Sequence, residues 1–422
     1  MKRSCAINLQ NKLSIKLILS TLTIWFIPSV ILVVFGASSY AIGLLFALIL
    51  VFLIHSSKIT IVQFKRYELL VLLLIAFFLL LSSFITFIRA HNTKPLLSAV
   101  PFMGIVFFSL AWGKIIKEYH ISIIINSILI ILCIFFVIGW LNFFYPINVF
   151  GYIYRQKSVF PFVEESHFAL ALGVLSLGYS TIASTKMNYV IGINTLLLAL
   201  IYPNLTLLVF FALLMVLYLV KSGKNFGKYL LLFFLVSILL VSLLTQIDYF
   251  RSRLTFREVT NLTTLVYLQG WELAFNNLHQ TQGFGVGYQQ LGSNETVLGH
   301  YSERIFALYG KHINLDDGGF LASKIIAEFG FLGLSTMLAY LILFVGFLYI
   351  MWRNFQRSPD DRIINTNELF VLGLFIGFFV EIFFRGFGYF SPNLVLIIAY
   401  GQVISKKNKR LEKKRDDMNC PL

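Results

Sequence analysis

Charge is scarce in this chain, and cysteine nearly absent. Asp, Glu, Lys and Arg make up 13% of 422 residues, where soluble domains carry about 25%. So few charges exclude a soluble globular protein of this length. The three cysteines, Cys5, Cys133 and Cys420, lie at the two termini and inside one apolar run, so no disulfide framework is specified. His, Cys and carboxylates do not recur at metal-ligand spacing, and His55, His91 and His120 are scattered. The sequence thus specifies no metal and no cofactor. One glycine-rich segment, "GFGVGYQQLG" (283–292), lacks the Lys-Ser/Thr of a nucleotide-binding loop and reads as backbone flexibility. There is no internal repeat and no low-complexity segment.

What is present is apolar. Hydrophobic residues make up 58% of the chain, with mean hydropathy +0.82. Runs near 20 residues, enough to cross ~30 Å of hydrocarbon, recur along the whole length. The expected fold class is therefore an all-α polytopic membrane protein, a single integral membrane domain over 1–422. About twelve transmembrane helices account for the runs, near 17–36, 40–55, 69–88, 96–113, 121–140, 167–184, 188–202, 205–220, 229–246, 331–352, 369–385 and 393–405. The start, "MKRSCAINLQNKLSIK", resembles a signal sequence. The run after it exceeds a signal core of about 7–15 residues and reads as an uncleaved first helix.

The net charge of +15 is a topology signal, not a nucleic-acid footprint. Most Lys and Arg fall in alternate short connections and in the basic tail 406–422. By the positive-inside rule this places both termini in the cytoplasm. The basic residues left outside are mostly arginines: Arg89, Arg155, Arg251, Arg253, Arg257, Arg304 and Arg385. Orientation needs only charge, whereas Arg adds a planar fork suited to bidentate phosphate binding.

Two outer loops are large, 141–166 and 247–330. The second is longer than a bare connection requires and is rich in Phe, Tyr and Trp. Leu265, Leu268, Trp271, Phe275 and Leu278 recur at helical spacing. Such a helix lies along the membrane surface or caps a cavity, or simply packs onto the span ends.

Several charges stand at the outer ends of spans. Glu164, Glu165 and His167, in "SVFPFVEESHFALALG" (158–173), open span six. Carboxylates there complement the helix dipole, and Ser166 is a candidate cap. One carboxylate directed into a cavity would instead accept a proton from an attacking hydroxyl. Arg251, Arg253 and Arg257, in "DYFRSRLTFRE", follow span nine at headgroup depth, suiting either a solvated loop start or a lipid-linked phosphate. Glu381 and Arg385 are four apart, an ion pair by helical spacing. Asp316 and Asp317 precede a Gly pair, as a carboxylate site or as turn chemistry. Lys324 and Glu328 are again four apart and placed to neutralise one another.

Three stretches resemble the O-antigen polymerase/ligase superfamily, specifically its Wzy-type polysaccharide polymerases. Glu164 and Ser166 match a Glu-x-Ser segment opening a span. "WELAFNNLHQTQGFGVGYQQLG" (271–292) resembles a Trp-led helix before a Gly-rich turn. Glu328, Gly330 and Gly333 match a Glu-x-Gly-x-x-Gly segment before the next span. Ligases of the superfamily place an Arg where this chain has Tyr267, and a His-Asn pair at Gly319 and Phe320, with His312 out of register. Both departures count against a ligase.

The resemblance implies a GT-C-type integral-membrane glycosyltransferase in the bacterial inner membrane. It would be inverting and metal-independent, acting on the periplasmic or outer face. The donor would be a glycan growing on undecaprenyl pyrophosphate, and the acceptor a single lipid-linked repeat unit. Membrane lipids and a chain-length regulator are the further partners it implies. Arg253, Arg257 and Arg385 would hold pyrophosphate, supported by Arg155, with Glu164 as base or acceptor positioner. His167, Trp271, Asp316 and Asp317 would contact acceptor or sugar. A ligase acting on the same donor, and a flippase or other transporter, are the alternatives.

Overall fold

In hydrocarbon, backbone N–H and C=O groups find no water, so an apolar run must satisfy them within itself as a helix. The computed structural model follows this rule: among its described residues, which are 2–37, 39–145, 159–254, 259–293, 298–358 and 362–404, the regular structure is all helix, with no strand. Polar residues between the apolar runs start several helices. Ser39, Ser184, Asn204, Asn261 and Asn365 each accept a backbone N–H as N-caps.

The helices are α1 (Lys2–Val34), α2 (Tyr40–Ile54), α3 (Arg66–Ala90), α4 (Lys94–Lys117), α5 (Ile121–Phe144), α6 (Glu165–Ser180), α7 (Thr185–Ile201), α8 (Leu205–Lys221), α9 (Phe226–Leu244), α10 (Asp248–Leu254), α11 (Leu262–Gln280), α12 (His300–Tyr309), α13 (Leu321–Gln356), α14 (Thr366–Phe383) and α15 (Pro392–Ile404). Each of the twelve apolar segments expected from sequence coincides with one of them. Seven are long and apolar enough to cross a membrane, and shorter apolar helices accompany them. The chain is thus a helical, multi-pass membrane protein.

Helix α6 is the central pillar, buried on every side from Phe168 to Ser180. It packs against α14, α8 and α5, and its side chains join the main apolar core with Trp25, Trp112 and Phe135. Helices α3 and α9 turn broad apolar faces outward, among them Leu73, Phe77, Ile238 and Leu239, as lipid-facing helices do.

The long segment between α9 and α13 folds over one end of the bundle as α10, α11 and α12. Here the expected stripe is corrected in part. Leu265 is fully buried and Leu268 and Trp271 pack on apolar clusters, but Phe275 is exposed, and Val266, Gln269, Gly270, Leu273, Ala274 and Asn277 are buried as well. Gly270 lies at a close backbone approach. A Cβ on Gly270 would lie 2.2 Å from the Gly318 carbonyl oxygen. Helix α13 begins ten residues before the apolar run expected at 331, and breaks at Gly330 (φ 58°, ψ −131°). Its first part belongs to this cap; its second runs down the bundle.

Candidate active site

Two chain turns bring the first charges together. Glu164 is the extended N-cap residue of α6 (φ −131°, ψ 150°) and does not cap the helix with its own side chain. Ser166 does not cap it either; its hydroxyl donates to Glu164 Oε2 at 2.8 Å. At the other turn α14 stops at Phe383, and Phe384 leaves the helix (φ −121°, ψ −50°). That swings Arg385 away from Glu381, and Arg385 Nη2 donates to Glu164 Oε2 at 2.6 Å. The Glu381–Arg385 pair expected from spacing is therefore not formed. Fully buried Glu381 instead accepts from Asn393 Nδ2 at 2.7 Å.

Beside this pair lies a cavity of ≈ 390 Å³, bounded by the start of α8, α10, α11, the start of α13 and the end of α14. Arg253 and Arg385 both line it. The Arg253 guanidinium stacks on Tyr249 at 3.5 Å, and its Nη2 donates to Thr263 Oγ1 at 3.2 Å. Its Nε and Nη1 are buried without a hydrogen-bond partner among the described residues. Buried donors of this kind are costly to leave unmet. Burial draws the Arg253 pKa down to about 10 against the opposing charge of Glu165, which leaves it a cation at neutral pH. Most of the remaining wall is apolar or aromatic: Leu205, Val209, Tyr267, Phe320 and Phe384.

The electrostatics of Glu164 follow from its neighbours. Partial burial would raise its pKa, but Arg385, His167 and the Ser166 hydroxyl outweigh this and hold it down to about 2. Its side chain remains 47% accessible, so water screens part of the attraction.

Other expected site residues lie elsewhere. His167 packs its ring on Phe387 at 4.3 Å and on Tyr40 at 5.7 Å, and its buried Nδ1 has no partner among the described residues. Trp271 stacks on Phe275 and meets Phe320 at 5.0 Å, behind the cavity wall. Asp316 pairs with Lys94 at 2.6 Å and Asp317 with Lys324 at 3.2 Å. Neither Asp, nor Trp271, nor His167 lines the cavity, and Glu164 does not line it either but touches it only through Arg385. Arg155 and Arg257 lie outside the described residues.

The pairing expected between Lys324 and Glu328 is also replaced. Lys324 Nζ donates to the Asp316 carbonyl at 2.8 Å. Glu328 accepts from Gln289 N at 2.8 Å, Leu291 N at 3.4 Å and Tyr389 Oη at 2.6 Å. The glycine-rich 283–292 segment is thus a fixed turn tied to α13, which corrects its reading as flexible backbone.

Sequence reasoning missed Tyr267, Gly319 and Phe320 as site residues, although they were the positions of departure from the ligase pattern. All three line the Arg253–Arg385 cavity. No family model, curated protein or solved structure matches the chain.

Proposed function

We propose that the chain is a membrane glycosyltransferase of the polysaccharide-polymerase type. It joins oligosaccharide repeat units carried on a polyprenyl pyrophosphate, at the outer face of a bacterial cytoplasmic membrane. The observation that carries this reading is Arg253. It holds two buried, unpartnered donors beside a second arginine, in an otherwise largely apolar cavity at one end of a helical bundle. A pyrophosphate with a sugar on one side and a hydrocarbon chain on the other suits such a cavity. A guanidinium fork meets phosphate oxygens bidentately.

In the reaction, an acceptor hydroxyl attacks the donor's anomeric carbon with inversion, the bond from that carbon to the pyrophosphate oxygen breaks, and the hydroxyl proton passes to the departing pyrophosphate or to water. Charge develops on the departing pyrophosphate. Arg253 and Arg385 stand fixed to receive it, and preorganised donors at developing charge are among the largest contributions to catalysis. Of the two roles open to Glu164, base or positioner, its pairing favours the second. A carboxylate held near pKa 2 is a weak base at neutral pH, whereas its bond to Arg385 aims that guanidinium. Tyr267 and Phe320, whose rings lie 5.0 Å apart, offer faces to sugar.

The test is the glycan profile of a deletion strain, read on surface polysaccharide and on extracted lipid-linked intermediates. Surface glycan limited to one repeat unit, with the long-chain ladder gone, is the expected result. Long chains stranded on the carrier would mean a ligase. Single units trapped on the cytoplasmic leaflet would mean a flippase.

A further inference from the structure

The end of the bundle opposite Arg253 and Arg385 holds a second cavity, which glycosyl transfer does not use. Helix α8 connects the two ends: Thr206 lines the first cavity and Lys221 the second, about 22 Å apart at 1.5 Å per residue. The far cavity has a volume of ≈ 480 Å³ and lies where the α6–α7, α8–α9 and α13–α14 connections converge. Ser184, Thr185, Asn188, Lys221 and Arg362 contribute to its wall, and no carboxylate lines it among the described residues.

The two cations are held, but not neutralised. Lys221 Nζ donates to the Ser180 and Ala183 carbonyls at 2.7 and 2.8 Å. With its amide turned to satisfy its neighbours, Asn188 accepts the third N–H at 2.9 Å. The Arg362 guanidinium stacks on Phe355 at 5.2 Å. Neither forms an ion pair within the described residues. Positive charge fixed by carbonyls and an aromatic face, in a cavity that no carboxylate lines among the described residues, is complementary to an anion.

A narrower cavity of ≈ 180 Å³ adjoins it between α7 and α8 and shares Asn188, Tyr218 and Tyr229 with it. Below those residues its wall is hydrocarbon: Ile193, Leu196, Phe211 and Leu214. Tyr218 hydrogen-bonds Tyr189 and meets Tyr229 edge-on at 5.2 Å. Tyrosines thus mark the boundary between polar and apolar parts, as they do at membrane interfaces. From Asn188 to Leu196 the groove follows α7 for about 12 Å, most of one leaflet of a ~30 Å hydrocarbon core. At Gly192 it is open, and an added Cβ would meet nothing within 4 Å.

We propose that the two cavities form one binding site for a phosphate-bearing membrane lipid. Its phosphate sits beside Lys221 and Arg362, and one hydrocarbon tail lies in the α7–α8 groove. Polarity, charge sign and depth all change along the site in the order that such a lipid requires. The inference does not rest on glycosyl transfer, since none of these residues lines the Arg253 cavity.

The test uses the full-length protein in detergent, titrated with phosphatidylglycerol or phosphatidylcholine and read by native mass spectrometry, with glycerol phosphate as competitor. Phosphatidylglycerol should bind more tightly than phosphatidylcholine, and glycerol phosphate should compete poorly. Arg362→Gln, an exposed change that spares the fold, should weaken phosphatidylglycerol about fivefold, the loss expected for one basic contact to an anionic lipid. Gly192→Phe fills the groove from an open position and should abolish binding while the melting temperature holds. Equal binding of the two lipids would overturn the proposal. So would full phosphatidylglycerol binding in Gly192→Phe, or competition by glycerol phosphate as strong as by the lipid, which would leave only a headgroup-sized anion site.

Discussion

Arg385 donates to Glu164 at 2.6 Å across 221 residues of sequence, joining the turn after α14 to the turn before α6. Because the Glu164 pKa is depressed, the pair's contribution is complete above the ordinary carboxylate range and is lost only as pH falls toward about 2. Polymerisation in proteoliposomes should therefore show no ionisation of Glu164 between about pH 5 and 9. Glu164→Gln should lower kcat by about 10- to 100-fold without altering the shape of that profile. An acid limb that disappears in the Gln variant would make Glu164 the base after all.

At Arg253 the fork matters more than the charge. Lysine would keep a cation but could not reproduce the stack on Tyr249, the bond to Thr263 and the two free donors together. Arg253→Lys should cost nearly as much as Arg253→Ala, about 100-fold or more in chain-growth rate. Wild-type chain lengths on a polysaccharide gel of the Lys variant would remove Arg253 from the site.

The helices were legible in the sequence because an apolar run has one way to satisfy its backbone in lipid, and polar residues cap several of them. Arg253, Arg385 and Glu164 stood out in the sequence as charges at the ends of apolar runs, and the fold brings them to one end of the bundle, with Arg385 bonded to Glu164 and lining one cavity with Arg253. Partnerships were harder to read. Spacing paired Arg385 with Glu381 on the premise that α14 runs through residue 385; it ends at Phe383, and that small shift redirects the guanidinium. On α11 the expected stripe held at Leu265 but not at Phe275, which is exposed, while Gly270 is buried at a close backbone approach that side-chain size does not reveal. Which walls enclose the cavity depends on contacts between α8, α11 and α13, distant in sequence, and no local pattern encodes them.

The cap over the site depends on a backbone crossing at Gly330. Its φ of +58° is unfavourable for any residue with a Cβ, and such a Cβ would sit 1.9 Å from the Gly283 carbonyl oxygen. Gly330→Ala should therefore destabilise by more than about 4 kcal/mol, at the far end of single-substitution effects. The measurement is the melting temperature of detergent-purified protein. Glu328→Gln keeps the shape but weakens acceptance from Gln289 N, Leu291 N and Tyr389 Oη, and should cost about 1–3 kcal/mol. If Gly330→Ala melted like the wild type, the crossing would not be as close as described.

A buried pair at the opposite end of α4 gives a test that is independent of function. Lys114 Nζ donates to Glu68 Oε2 at 2.6 Å, and both side chains are about one-tenth accessible or less. Desolvation makes such a pair a poor source of net stability, yet removing one partner strands the other charge. Lys114→Met and Glu68→Leu should each destabilise by about 3–5 kcal/mol, and the double variant by much less. A thermal-unfolding cycle on the purified protein gives the coupling directly. Glu68 also accepts from Lys65 N at 2.8 Å, so Glu68→Leu should lose slightly more than Lys114→Met, by the value of that cap. Additive losses in the double variant would mean that the two groups reach water separately and that α3 and α4 are not joined by this contact.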